Sequence, residues 1–456
     1  MDDYAAFLAS KAPAAQAVGL DRLPPLNPAL FDFQLDVTAF ALRQGRAGLF
    51  LDTGLGKTLC QLEFCSVAAE ASNGRALILT PLAVARQIER EGEAFGYAGA
   101  VRVIRDQGES EDGINVCNYD RLDKLDPEAF GAVSLDEAGI LKNFTGRTSR
   151  ALIAAFRGHR FKLSATATPA PNDHMELGQQ SEFLGIMPSN EMLMRWFISD
   201  QTQMGRYRLK GHATESFWDW MASWSRMATS PEDLGFDGRR FVLPELVIHR
   251  HRAREHGLPA TGGLFVEALS ATTVFEEKRR TEGARADTAA AVVSAEPQEP
   301  WVIWCDTDSE SAALAARLPD AVEVKGSHPI DLKEERIAAF VEGEASVLIT
   351  KPSICAWGLN LQRCARMLFA GRTFSYEAYY QAVRRCWRFG QRRPVHVHLV
   401  VSEAEDAIGR VIDRKAEDHA KMKRAMALAM RRAREERARL KTPYEPKHLG
   451  RMPAWL

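Results

Sequence analysis

A chain of 456 residues is long for one core and suits two domains with extensions. Charged residues at 26% and hydrophobic residues at 46% make an ordinary globular mixture, and a net charge of −1 excludes binding to nucleic acid through overall charge, leaving only local basic patches. Seven scattered cysteines without a C-x-x-C pair argue for free thiols in a reducing compartment and against a zinc site. No apolar run can span a bilayer, and the acidic start (Met1 to Tyr4) lacks the basic region of a secretory signal, so a cytoplasmic protein without membrane contact is expected.

Residues 1–27 have no strong period and read as an N-terminal extension. Phe33, Val37, Phe40 and Ala41 then share one face of a helix opened by Gln34. A side-chain amide pairs a donor with an acceptor, as an adenine edge requires; a solvated glutamine is the alternative. Leu49, Phe50 and Leu51 form a buried strand that turns through Asp52, Thr53, Gly54, Leu55 and Gly56 into a helix beginning at Lys57 and Thr58. That order suits a nucleoside triphosphate. Thr53, Gly54 and Gly56 line a turn whose N–H groups face inward, Lys57 supplies charge to the β/γ-phosphates, and Thr58 supplies a hydroxyl to Mg²⁺. The strict G-x-x-x-x-G-K-[ST] pattern wants glycine where Leu51 stands, so a plain strand–turn–helix remains open at this point.

Strands are expected at 75–80, 101–104, 114–118 and 132–135, with helices at 57–70 and 83–95. This alternation implies a parallel sheet with functional residues at the strand C-termini. The last of these strands runs into Asp136 and Glu137, placed to hold Mg²⁺ and to orient or deprotonate water. A further strand near Phe161 brings Ser164, Thr166 and Thr168 to the same edge.

Residues 28–185 thus form a first lobe, and 186–265 break the pattern. Trp196, Trp218, Trp220 and Trp224, near Arg195, Arg206, Arg208, Lys210 and Arg226, either stack bases or form the core of a helical insert; the spacing in 217–224 favours a core. Residues 230–265 are rich in Pro and Gly and read as a hinge. His249 and His251, like His396 and His398, have strand spacing rather than metal-ligand spacing. Alternation resumes at Pro300, with strands at 301–305, 321–324 and 346–350, giving residues 266–402 a second parallel sheet without a phosphate loop. Such a lobe is expected to close on the first lobe's ligand. Arg385 and Arg388 share a helix face, and a guanidinium reaching the γ-phosphate is worth ~10³–10⁵ in rate. Residues 403–456 are expected to be a long basic helix and a tail. The 12 Lys/Arg against 5 Asp/Glu in 410–441 suit either an arm along a phosphate backbone or a brace across the lobes.

Gln34, Gly56-Lys57-Thr58, Asp136 to Gly139, Ser164 to Thr166, Trp357 to Gln362 and Gln381 to Gln391, in this order, resemble the motifs of superfamily 2 helicases and translocases. Asp136 to Asn143 and Thr168 to Asn172 resemble the Swi/Snf-like remodelling branch and its phage and bacterial relatives. The resemblance implies an α/β fold of two RecA-like parallel-sheet lobes in tandem, with a helical insert and a C-terminal basic helix. It implies ATP and Mg²⁺, with Gln34 on adenine, Lys57 and Thr58 on phosphate and metal, Asp136 on metal and Glu137 on water. Arg388 would be the arginine finger and Arg385 a second phosphate or coupling contact, with Gln381 and Gln391 flanking the site. The partner would be DNA, single- or double-stranded, in the cytoplasm of a bacterial or phage-infected cell. No nuclease or methyltransferase motif is present, so such activity would come from a DNA-modifying partner protein. Two positions depart from the pattern: Gly139 stands where the family has His or Asp, and Arg384 where it has Gly. The expected activity is ATP-driven movement on DNA with strand separation; the alternatives are duplex translocation without separation and a nucleotide-gated clamp with little turnover.

Overall fold

The computed structural model describes residues 14–81, 84–142, 146–170, 173–199, 207–253, 271–355, 360–371, 375–402 and 406–440. The expectations placed on Arg206, Asn143, Asn172, Trp357 to Leu359, residues 254–265 and the tail after 440 lie outside the described residues.

Two parallel sheets carry the fold. The first contains β1 (Arg46–Leu51), β2 (Arg75–Thr80), β3 (Val101–Val103), β4 (Gly113–Asn118), β5 (Ala132–Asp136) and β6 (Phe161–Ala165) in the order β3-β4-β2-β5-β6-β1. A short antiparallel pair, β7 (Phe197–Ser199) and β8 (Tyr207–Leu209), stands apart, and β9 (Ser225–Ala228) completes the first sheet beside β1. The second sheet runs β10 (Leu246–Arg252), β15 (Val395–Val401), β14 (Arg366–Phe369), β11 (Trp301–Trp304), β13 (Val347–Thr350) and β12 (Val322–Val324), again all parallel. Strands covered on both faces read as continuous apolar runs, which is why 49–51, 76–79 and 301–304 were visible in the sequence. These are two RecA-like lobes, as expected. The stretch 186–265 is not wholly helical, because it gives each sheet one edge strand, β9 and β10.

Seven helices matter for the site: α1 (Asp32–Gln44), α2 (Lys57–Glu70), α3 (Ala85–Ala94), α4 (Thr214–Trp224), α5 (Ala271–Ser294), α6 (Tyr376–Cys386) and α7 (Asp406–Leu440). The tryptophans form core. Trp196 stacks on Trp220 at 4.7 Å, Trp224 meets Phe50 edge-on at 6.0 Å, and Trp218 is buried with them.

Helix α7 is a brace. Met422, Met426, Ala429 and Met430 sink into the core of the first lobe, and the Met227 N–H donates to Met430 Sδ at 3.0 Å. Each buried methionine contributes ~1.5–3 kcal/mol to that docking. Arg432 pairs with Glu215 and Asp219 on α4, while the other end of α7 lays Ala416 against Tyr376 and pairs Asp413 with Arg250 of β10. Leu428, which the apolar spacing groups with the methionines, is 60% exposed. No described helix is long and apolar enough to cross a membrane.

Candidate nucleotide site between the lobes

The C-terminal ends of β1, β2, β5 and β6 meet at one edge of the first sheet. The β1 strand delivers the loop 52–56, which turns into α2 through two left-handed glycines, Gly54 at φ +92° and Gly56 at φ +75°. Neither position accepts a side chain. A Cβ on Gly56 would stand 2.1 Å from Gln34 Nε2, and one on Gly54 would stand 2.8 Å from the backbone nitrogen of Phe389 in the second lobe. Gln34 is buried and tied to the loop: its Nε2 donates to Leu55 O at 2.9 Å and its Oε1 accepts from Phe31 N at 2.9 Å. One N–H and one lone pair of the amide remain for a ligand. Lys57 Nζ donates to Leu51 O at 2.9 Å; burial lowers its pKa, opposed by the carboxylates of Glu137, Asp52 and Asp136.

Asp136 ends β5 with both oxygens occupied on one side. Gln61 Nε2 donates to Oδ1 at 2.9 Å and Thr80 Oγ1 to Oδ2 at 3.0 Å, while Ser134 Oγ holds Gln61 Oε1 at 2.7 Å. Tyr119 OH donates to the Asp136 carbonyl at 2.6 Å. The next residue, Glu137, is the one non-glycine residue at positive φ (+51°) among the described residues. That conformation costs ~1–2 kcal/mol and is held here by the surrounding packing. Its Oε2 is buried without a hydrogen-bond partner, and burial raises the pKa of the carboxyl against the opposing pull of Lys57 and Arg385. An ionised carboxylate with a free lone pair, shifted toward holding a proton, has the properties of a base for water.

The second lobe brings α6 to this edge. Arg385 is buried, lies 3.8 Å from Glu137 Oε1, and has its pKa lowered to about 10, chiefly by burial. Gln381 does not line the cleft: its Oε1 accepts from Arg385 at 2.9 Å, so it aims the guanidinium. Arg388 does not share a helix face with Arg385, because α6 ends at Cys386, but it still lines the cleft, and its Nε has no hydrogen-bond partner. Gln391 is turned into the lobe, donating to Gln362 O at 2.8 Å. The cleft has a volume of about 380 Å³, within the range of small-molecule sites. Thr53, Gly54, Gly56, Lys57, Thr58, Asp136, Glu137 and Gln34 face it from the first lobe, Arg385 and Arg388 from the second. One wall is aromatic. Phe241 stacks on Phe389 at 4.7 Å and meets Phe31 edge-on at 5.3 Å.

The donor set fits a triphosphate with a divalent cation. Lys57, Arg385, Arg388 and the N-terminus of α2 supply positive charge, Thr58 and Asp136 supply hard oxygens, and the Thr53 hydroxyl, Glu137 Oε2 and Arg388 Nε are left without protein partners. The motif spacing alone did not reveal the residues that hold these groups. Gln61 follows Lys57 by four on α2, a same-face spacing that could have flagged it; Thr80, Tyr119 and Phe241 carried no such signal.

Fold and site together define an α/β protein of two RecA-like lobes with a candidate nucleotide cleft between them. Residues 285–390 match the model of the helicase conserved C-terminal domain, a span that runs from α5 through Arg388. No curated protein matches the chain. Among solved structures, the SWI2/SNF2 ATPase core of Sulfolobus solfataricus, determined in complex with double-stranded DNA, aligns over 91% of this chain and 98% of its own, at 16% identity and a TM-score of 0.43.

Proposed function

We propose that the chain is an ATP-dependent DNA helicase or translocase, with lobes at about residues 28–228 and 246–402 joined by the hinge and strapped by α7. The observation that carries the reading is the convergence of Lys57 and Glu137 from one lobe with Arg385 and Arg388 from the other on a single cleft. Gln34 and the aromatic wall take the adenine. Lys57 and the loop N–H groups take the β/γ-phosphates. Thr58 and Asp136 would hold Mg²⁺, which when bound would neutralise the charge that develops on the phosphates. Glu137 orients a water and accepts its proton as the water oxygen attacks the γ-phosphorus and the bond to the leaving ADP oxygen breaks. Arg388 and Arg385 stabilise the charge that spreads over the transferred group. Because the arginines belong to the second lobe, hydrolysis requires closure, and release allows opening; a cycle of that kind moves two lobes along a strand. DNA rather than RNA rests on the resemblance of 136–143 and 168–172 to the remodelling branch, an argument by analogy.

The test is Mg²⁺-dependent ATP hydrolysis alone and with single-stranded DNA, duplex DNA or RNA, at two salt concentrations. DNA stimulation that weakens steeply with salt is expected. Strand-displacement and triplex-displacement assays then separate unwinding from translocation on duplex. An intact preparation that hydrolyses no ATP under any of these conditions would overturn the reading.

A further inference from the structure

The two departures from the family pattern, Gly139 and Arg384, lie on the same interface. A Cβ at Gly139 would stand 2.8 Å from Glu377 Oε1, so the space above this glycine is taken by a carboxylate from the second lobe. Glu377 is 4% exposed and forms an ion pair with Lys142, three residues past Gly139. One and two turns further along α6, Tyr380 and Arg384 close on Asp52, the residue that opens the phosphate loop. Arg384 pairs with Asp52 Oδ1 at 3.0 Å and donates to Thr53 O at 2.9 Å. Tyr380 OH donates to Asp52 Oδ1 and accepts from Lys423 Nζ at 3.0 Å. Lys423, on α7, reaches Asp52 Oδ2 at 3.2 Å. These cations and the tyrosine hold the Asp52 carboxyl well below the usual carboxylate range, despite burial that pushes it up.

Helix α6 therefore presents two adjacent stripes to the first lobe. Gln381 and Arg385, with Arg388 just past the end of the helix, serve the cleft; Glu377, Tyr380 and Arg384 grip Lys142 and Asp52 beside it. All of Asp52, Arg384 and Lys423 are less than a tenth exposed, so their pairing is little screened by solvent or salt. Separating the lobes breaks the Glu377–Lys142 and Arg384–Asp52 pairs and exposes their charges to water, while Lys423, on the strap docked to the first lobe, stays with Asp52. The strap α7 is part of the same arrangement, because it docks on the first lobe through its methionines and touches the second through Ala416 and Asp413.

We propose that Glu377–Lys142, in the space left open by Gly139, and the Asp52 node of Arg384, Tyr380 and Lys423 couple lobe closure to the phosphate loop in this chain. The proposal deepens the ATPase reading and rests on it for its kinetic consequence. These are positioning residues: they set where the loop and the α6 arginines stand relative to Glu137. Loss of the coupling lowers kcat while leaving nucleotide binding nearly intact, since the loop, Lys57 and Gln34 still hold the ligand.

Two measurements test this. In steady-state ATP hydrolysis, Arg384→Met and Lys423→Met are expected to lower kcat at least tenfold and about fivefold, with KM changed less than threefold. Lys423→Arg, which keeps the charge, is expected to stay within twofold of the parent. Asp52→Asn combined with Arg384→Met is expected to be no slower than the worse single variant, because both break one unit. Arg432→Ala, at the exposed far end of α7, is the control for simple undocking and is expected to change nothing. The second readout does not need turnover. All seven cysteines are buried, so spin labels at Glu70→Cys and Glu344→Cys, on the exposed surfaces of the two lobes, report their separation. Glu377→Gln and Arg384→Met are expected to lengthen and broaden that distance distribution. Unchanged kcat in both Met variants, or an unchanged distance in both α6 variants, would overturn the coupling. A parent protein that hydrolyses no ATP would overturn the ATPase reading alone, and the distance would still decide the coupling.

Discussion

Replacing Gly56 by alanine puts the loop geometry to a quantitative test. At φ +75° an L-residue costs ~1–2 kcal/mol more than glycine. The added methyl would also lie 2.1 Å from Gln34 Nε2, displacing an amide that bonds Leu55 O and Phe31 N. Each of those bonds contributes ~0.5–1.5 kcal/mol, so keeping the loop in its binding shape costs about 2 to 5 kcal/mol more in the variant. If the loop relaxes in the free protein and must be restored to bind, affinity falls by roughly 30- to 4,000-fold. Titration with a non-hydrolysable ATP analogue measures this directly. Gly99→Ala is the control: φ is +77° but a Cβ there meets nothing within 4 Å, so it carries backbone strain alone and should leave affinity unchanged. Binding of the analogue by Gly56→Ala with parental affinity would refute the argument that Gln34 and the loop are one packed unit.

Three further outcomes follow from the site and the core. Gln61→Leu removes the donor that fixes Asp136 Oδ1 and the acceptor for Ser134; supporting contacts of this kind are worth ~10–100-fold, so the Mg²⁺ concentration for half-maximal hydrolysis should rise by that order. The raised pKa of Glu137 in the free protein places the acid limb of the kcat/KM–pH profile above the ordinary carboxylate range, since the base works only when deprotonated; a limb at the usual range near 4.5 would contradict the burial argument. Lys162 is enclosed in β6, donating to Phe183 O at 2.6 Å, and burial lowers its pKa from 10.5 to about 7. Between those values the unfolded chain binds the proton and the fold does not, so its contribution to stability grows as pH rises from about 7 to 10.5 and is lost as pH falls; thermal unfolding of Lys162→Met should lack that part of the pH dependence.

The sequence announced the parts of the site whose chemistry is local. Leu49 to Thr58 is a strand, a turn and a helix within ten residues, and Asp136-Glu137 sits at the end of an apolar strand, so period and turn residues were enough. The edge strands were hidden for a physical reason. Ser225 to Ala228 is short and mixed, and Leu246 to Arg252 alternates with His and Arg because an edge strand faces solvent on one side. The composition of 410–441 could not choose between an arm and a brace, since a basic face looks the same whether or not the methionine face beneath it is docked. The Asp52 node was invisible for a different reason: Arg384 and Lys423 lie hundreds of residues from Asp52, and ion pairs carry no period. Gly139 and Arg384 stood out as departures, yet only the packing of α6 on the first lobe shows that each makes room for, or supplies, a contact between the lobes.

The central claim is that Glu137, strained and with a buried, unpartnered oxygen, is the base for ATP hydrolysis in a cleft completed by the second lobe. The direct measurement is the ATP turnover of Glu137→Gln beside its affinity for an ATP analogue. The account predicts affinity within threefold of the parent and a kcat lower by ~10²–10⁴. A folded Glu137→Gln protein that hydrolyses ATP at the parental rate would contradict it.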